Sequence, residues 1–296
     1  MNDEKMISYE LPHRPDTFVS ADLLKMLAMG IMLIDHIGAF LVDQSDPVYL
    51  PLRSIGRLAF PIFCYLIAEG AHYTRSVPKY LARLAAFAII STPPYNLVQG
   101  SAWYSSENIN VFFTLFFGLA AIYSITGLPK SVYRRLGKFK LAESKPACAL
   151  LGMPLCVMCY FAAYIMHTDY GEYGVAAILL FYLLRRRPVT AWLAFAALTF
   201  VFFDVYIVSA NLTGVVEYSR VNAYNVVTKM LLGHHTELFF YNATQMFASL
   251  AFVPCLLYNG KKGRFSGRCS QYFFYAFYPM HLFCLWFVQL ATGVSF

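Results

Sequence analysis

The stretch Leu23–Leu41, LLKMLAMGIMLIDHIGAFL, decides the architecture. It is apolar throughout apart from Lys25 near its start and the adjacent Asp35 and His36 toward its far end. A bilayer core of about 30 Å needs roughly 20 such residues at a rise of about 1.5 Å each. The run has no A-x-A-like exit, so it reads as a retained first transmembrane helix and not as a cleaved leader. An ionisable group at that depth costs about 2.5–3.5 kcal/mol on insertion scales, so Asp35 and His36 are functional candidates by default.

The same ruler, moved along the chain, finds apolar stretches near 23–42, 54–72, 80–98, 110–127, 147–166, 172–184, 189–209, 239–258 and 271–291. The expected fold is all-α, a polytopic transmembrane bundle of about nine spans. The short sixth stretch and Pro93-Pro94 in the third widen the count to roughly eight to ten. One transmembrane domain fills residues 1–296, with 1–22 as a cytoplasmic N-terminal segment and about 210–238 as an extracytoplasmic cap. Composition agrees: 59% of residues are hydrophobic and 13% charged, against about a quarter charged in soluble domains.

The net charge of +7 would suit nucleic acid, but its distribution does not. The basic residues cluster between apolar runs, at Lys130 to Lys145, Arg185–Arg187 and Lys261 to Arg268. Nucleic-acid binding needs a basic face on an ordered domain, and no such domain is left over. With the N-terminus cytoplasmic, every basic residue except Arg53, Arg57, Arg220 and Lys229 falls inside, as the positive-inside rule requires. The seven cysteines form no disulfide framework or zinc spacing, and Cys156-x-x-Cys159 reads as helix packing. His234-His235 with Glu237 is a poor zinc signature, so no metal is expected.

Within the first span, Lys25 and His36 lie eleven residues apart, three turns, on one face and about 16 Å apart along the axis. Neighbouring helical residues point about 100° apart, so Asp35 should face a cation on another helix and not His36. The second span, IGRLAFPIFCYLIAEGAHYTR, offers Arg57 at a comparable depth, with Pro61 kinking the helix beside it. Toward its other end Glu69 and His72 are i, i+3, followed by Arg75, Lys79 and Arg83. Arg83 sits in an apolar stretch, where anchoring and anion binding are equally good readings; Lys79 reads as an anchor. Asp169-Tyr170-Gly171-Glu172 reads on its own as an outer polar turn, and Asp204 should face the bundle. Tyr275, Tyr278 and His281 form a polar stripe in the last span, with His281 just beyond Pro279.

A histidine in a low-dielectric cavity, held near a carboxylate and a cation, suits general base catalysis. It would equally suit nucleophilic catalysis through an acyl-imidazole. Cytoplasmic Arg and Lys match the phosphates of a CoA donor. A transporter's proton relay uses the same residue types, although no internal repeat of the inverted kind is visible.

The runs KMLAMGIMLIDHIGAFL from Lys25 and IGRLAFPIFCYLIAEGAHYTRSVPKYLARL from Ile55 resemble the TraX family of conjugation-associated membrane proteins. So do NVFFTLFFGL from Asn110, DYGEYGV from Asp169, LLYNGKKG from Leu256 and FYAFYPMHLFCLW from Phe274, in order along nearly the whole chain. The resemblance implies an acetyltransferase of the bacterial cytoplasmic membrane, since the family's namesake N-acetylates the amino terminus of pilin. The family is also similar to transmembrane acyltransferases that modify sugars from cytoplasmic acyl-CoA, the lysosomal heparan glucosaminide acetyltransferases among them. By that similarity His36 carries over as catalytic, supported by Asp35 and Arg57. Acetyl-CoA would be the donor, with Arg75 and Arg83, and by placement Lys25 and His72, as its binding residues. Glu69, Asn110, Asp169, Tyr278 and His281 complete the polar candidates. The acceptor would be an extracytoplasmic amine or hydroxyl, on a protein amino terminus or a glycan, and the chain could be oligomeric. The competing readings are a proton-coupled transporter and an assembly factor for a secretion apparatus.

Overall fold

The computed structural model describes residues 17–105, 109–126, 145–205, 244–263 and 267–293. The basic insertion near 128–146 falls outside them save for its last residues, and so do the cap near 210–238 and His234-His235. Among the described residues every regular element is helical: α1 (Ala21–Leu41), α2 (Tyr49–Gly56), α3 (Ala59–Tyr73), α4 (Val77–Val98), α5 (Val111–Thr126), α6 (Lys145–Ile165), α7 (Gly171–Leu183) and α8 (Pro188–Phe200). A π turn, Val201–Val205, follows α8. A 3₁₀ stretch, Thr244–Ala251, then runs into α9 (Phe252–Leu256), and α10 (Arg268–Thr292) completes the set. The side chain of Asp204 lies outside the described set.

Local chemistry sets the helix ends. The hydroxyl of Ser20 accepts from the Leu23 amide at 3.3 Å and caps α1, with Asp22 in the first turn to complement the helix dipole. Ser76 caps α4, with Pro78 in the first turn where its missing N–H is harmless. The second span is broken at Arg57–Leu58 into α2 and α3. Pro61 has no N–H for the carbonyl four residues earlier, which is that of Arg57, so the expected kink falls there. Pro93-Pro94, by contrast, leave α4 continuous. Gly293, at φ 70°, ends α10 in the left-handed conformation that glycine adopts without strain.

Among the described residues three helices are long and apolar enough to cross a bilayer by themselves: Ala21–Leu41, Tyr49–Tyr73 taken through its break, and Ser270–Thr292. Shorter apolar helices fill in around them. Leu24, Ile62, Leu119, Ile178 and Leu282 are fully enclosed in one core. Ile89, Ile90, Leu150, Ile165 and Leu193 stand exposed on the outside. Apolar residues inside and out mark a helix bundle whose solvent is lipid. Where no hydrophobic force separates helix from tail, small residues let backbones approach. A Cβ on Gly152 would meet the backbone of Ser124 on α5, which is why α6 lies so close there.

Hydrogen bonds tie the two ends of the bundle differently. At one end the amides of Ala21 and Asp22 donate to the carbonyls of Lys261 and Lys262, at 2.9 and 3.0 Å. Lys25, Arg75, Lys79, Arg185, Lys261 and Lys262 gather on this basic end. At the opposite end Gln289 of α10 donates to the carbonyls of Phe40 and Val98, at 3.0 and 3.1 Å, pinning α10 to α1 and α4.

Candidate functional site

Asp35 and His36 diverge as the helical turn dictates. Asp35 is buried and points at α2, where its carboxylate pairs with Arg53 at 2.7 Å. Arg53 also donates to the Asp35 carbonyl at 3.3 Å. The partner cation was expected to be Arg57; it is Arg53, one turn earlier. Arg57, at the break, stays in the neighbourhood of Asp35 but makes its hydrogen bond to Tyr170, whose hydroxyl accepts from its guanidinium at 3.4 Å. Gly56 makes the Asp35–Arg53 contact possible, because a Cβ there would collide with the Asp35 side chain.

His36 points across to α10. Its Nδ1 lies 2.7 Å from Nε2 of His281, with the rings stacked at 4.9 Å and nearly parallel. His281 is buried, and its Nδ1 is 2.8 Å from the Phe277 carbonyl. The ring of Tyr278 stands 6.1 Å from that of His36 and 5.6 Å from that of His281. The polar stripe read along the last span is thus divided, with His281 joining His36 directly and Tyr278 flanking both.

Asp169 and Tyr170 occupy a turn between α6 and α7 in which His167 and Tyr170 both take positive φ, 48° and 63°. Such backbone strain persists only where the surroundings impose it. Here Phe60 stacks on Tyr170 at 3.7 Å, the Asp169 amide donates to Ile109 O at 2.7 Å, and the Thr114 hydroxyl donates to the Asp169 carbonyl. Burial, opposed by Arg57 and reinforced by Asp35, pushes the Asp169 carboxyl up to about 6. The turn is therefore part of the Asp35–Arg57 neighbourhood and not a free polar loop.

A cavity of about 540 Å³ opens between α1, α3, α4, α5 and α10. Asp22, Lys25, Arg83 and Lys262 line it toward the basic end, and Met32 and Tyr278 toward the middle of the bundle. Met32 precedes His36 by one helical turn and Tyr278 precedes His281 by three residues, so the cavity stops about one turn, some 5 Å, short of the histidine pair. Its walls elsewhere are Phe63, Leu66, Phe112, Leu115 and Phe274. Lys25 pairs with Asp22 at 3.4 Å and lies over the Phe274 ring.

The remaining candidates separate clearly. Glu69 lines the cavity but is committed to Arg185, at 2.5 Å, in a pair that Arg185 extends to the Tyr73 hydroxyl at 3.0 Å. Asn110 is fully buried and structural: it caps α5 through the Phe112 amide and donates to Ala88 O on α4. His72 and Arg75 are exposed and do not line the cavity. Cys156 and Cys159 are free and buried among apolar neighbours. Among the described residues no group of three or more His, Cys, Asp or Glu could hold a metal.

The sequence by itself gives no site role to Arg53, Arg185, Tyr170 or Lys262. Arg53 carried a usable signal, since it stands four residues before Arg57 and hence on the same side of a helix. Arg185 looked like one of three loop cations.

A family model described as TraX protein matches residues 20–289. The chain is also similar to a protein of Dichelobacter nodosus described as probable fimbrial assembly protein FimC, serogroup H1, at 27% identity over 277 residues, or 89% of this chain and 93% of that one. No solved structure shows a significant match. The matched region runs from the cap of α1 to Gln289 and takes in both histidines, the ion pairs and the cavity, and on that extent the chain belongs to the TraX family.

Proposed function

We propose that this protein is a membrane-embedded acetyltransferase that moves acetyl from cytoplasmic acetyl-CoA to an extracytoplasmic amine or hydroxyl, on a pilin amino terminus or a cell-surface glycan. The observation that carries the proposal is the cavity with cations toward one end, whose inner wall at Met32 and Tyr278 lies about one helical turn from the His36–His281 pair. In this reading the basic end faces the cytoplasm of a bacterial cell, the protein sits in the cytoplasmic membrane, and the chain crosses it about nine times as one domain.

The nucleotide half of the donor would meet Lys25, Arg83 and Lys262, with Arg75 and His72 outside the mouth. Lys25 and His36 are about 16 Å apart along α1, a length an extended pantetheine arm spans. The apolar walls would hold that arm and exclude water. At the inner end the acceptor's lone pair attacks the thioester carbonyl while His36 takes the acceptor's proton. The C–S bond then breaks, and the CoA sulfur leaves with that proton. Arg53, already neutralised by Asp35, and Arg57, beside Tyr170, form the polar wall on the acceptor side.

Purified protein in nanodiscs tests this with acetyl-CoA and a free-thiol readout. The intact protein is expected to bind acetyl-CoA and release CoA slowly, faster when an amine or hydroxyl acceptor is supplied. His36→Ala is expected to keep the fold and donor binding while turnover vanishes. Turnover by His36→Ala at the intact rate, or an intact protein that ignores acetyl-CoA yet drives proton-coupled uptake, overturns the proposal.

A further inference from the structure

The geometry points to His281 as a positioning residue that dictates which nitrogen of His36 carries the hydrogen, leaving His36 Nε2 as the reactive lone pair. A carbonyl oxygen can only accept, so the 2.8 Å contact with Phe277 O places the hydrogen of His281 on its Nδ1. A neutral imidazole has a single N–H, so Nε2 of His281 is an acceptor. At 2.7 Å from that acceptor, Nδ1 of His36 must be the donor. The remaining nitrogen of His36, Nε2, then bears the lone pair. Neutral rings are the economical state of the pair, because a charge in an apolar interior without an opposite charge against it is costly.

The lock is built into α10. His281 reaches back one turn to the carbonyl of its own helix, and the Phe277 ring stacks on the imidazole at 5.0 Å. Neither contact depends on His36, so the acceptor nitrogen is presented in advance. The hydrogen bond a histidine makes through one nitrogen selects the role of the other. When His36 Nε2 takes a proton, its Nδ1–H stays bonded to His281 and the ring does not turn. This explains why two histidines, 245 residues apart in sequence, are held within hydrogen-bond distance without a metal-type cluster around them among the described residues.

The catalytic consequence rests on the acyl-transfer reading, but the tautomer does not, and the two can be tested apart. Protein labelled with 15N-histidine in nanodiscs, with His36 assigned by its loss in His36→Ala, reports the tautomer by NMR. The intact protein is expected to show His36 as the Nδ1–H form and His281→Phe to release it. Acetyl-CoA turnover in His281→Phe should fall on the order of 10–100-fold. His281→Gln should recover much of both, because the Gln carbonyl can accept from His36 while its amide donates to Phe277 O. His36 in the Nε2–H form in the intact protein, or a tautomer that His281→Phe leaves unchanged, overturns the inference. A locked Nδ1–H tautomer in a protein without acetyl-CoA turnover upholds the inference and removes the acyl-transfer reading.

Discussion

Replacing Arg185 by Met strands the Glu69 carboxylate inside the bundle, and the size of the effect can be worked from the contacts. The two side chains are 4% and 10% exposed, and they meet through two contacts, at 2.5 and 3.4 Å. Removing one partner of such a buried pair costs about 3–5 kcal/mol, because the other charge stays where water cannot reach it. Replacing both with apolar groups of similar volume is neutral or stabilising by about 1–4 kcal/mol. Arg185→Met and Glu69→Leu are therefore each expected to lower the folded-to-unfolded ratio by at least about a hundredfold, at roughly 1.4 kcal/mol per factor of ten. The double variant should recover most of that loss. Reversible unfolding in mixed micelles with rising SDS fraction measures it, with Trp192 as the reporter because it is buried against Phe181. Losses that simply add in the double variant, or single variants within about 0.5 kcal/mol of the intact protein, refute the reasoning.

Other outcomes follow from the same contacts. Gly56→Ala places a Cβ on the Asp35 side chain, and overpacking of this kind costs about 1–3 kcal/mol, to be seen as a lower midpoint in the same titration. Asp169 binds its proton more tightly when folded, with a value of about 6 against an ordinary 3.8. The folded state then holds more protons between those values, so stability should fall as pH rises from about 4 to about 6. Asp169→Asn should flatten that slope in unfolding curves recorded across the range. Met32→Trp should fill the inner end of the cavity and abolish acetyl-CoA binding by calorimetry while membrane insertion persists. Lys25→Ala and Arg83→Ala should raise the KM for acetyl-CoA with less effect on kcat, and the difference should shrink with added salt.

The helices were legible because a helix satisfies its backbone within itself, so length, apolar content and capping residues are local properties. Leu23–Leu41 announced α1 with its polar pair, Pro61 announced the break in the second span, and the divergence of Asp35 from His36 followed from the helical angle alone. The sequence also determined the family, because motifs from the first helix to the last stand in order. What it did not determine was who meets whom. Whether Asp35 pairs with Arg53 or Arg57 turns on the rotation of a short helix about a break, and on one glycine that lets it approach. Glu69 reads as a candidate for chemistry until the turn after α7 brings Arg185 to it. The joining of His36 to His281 depends on α1 and α10 lying side by side, a packing of distant segments that no local pattern encodes. Tertiary structure alone decided these pairings, because a side chain's partner is set by the azimuth and depth of two helices at once.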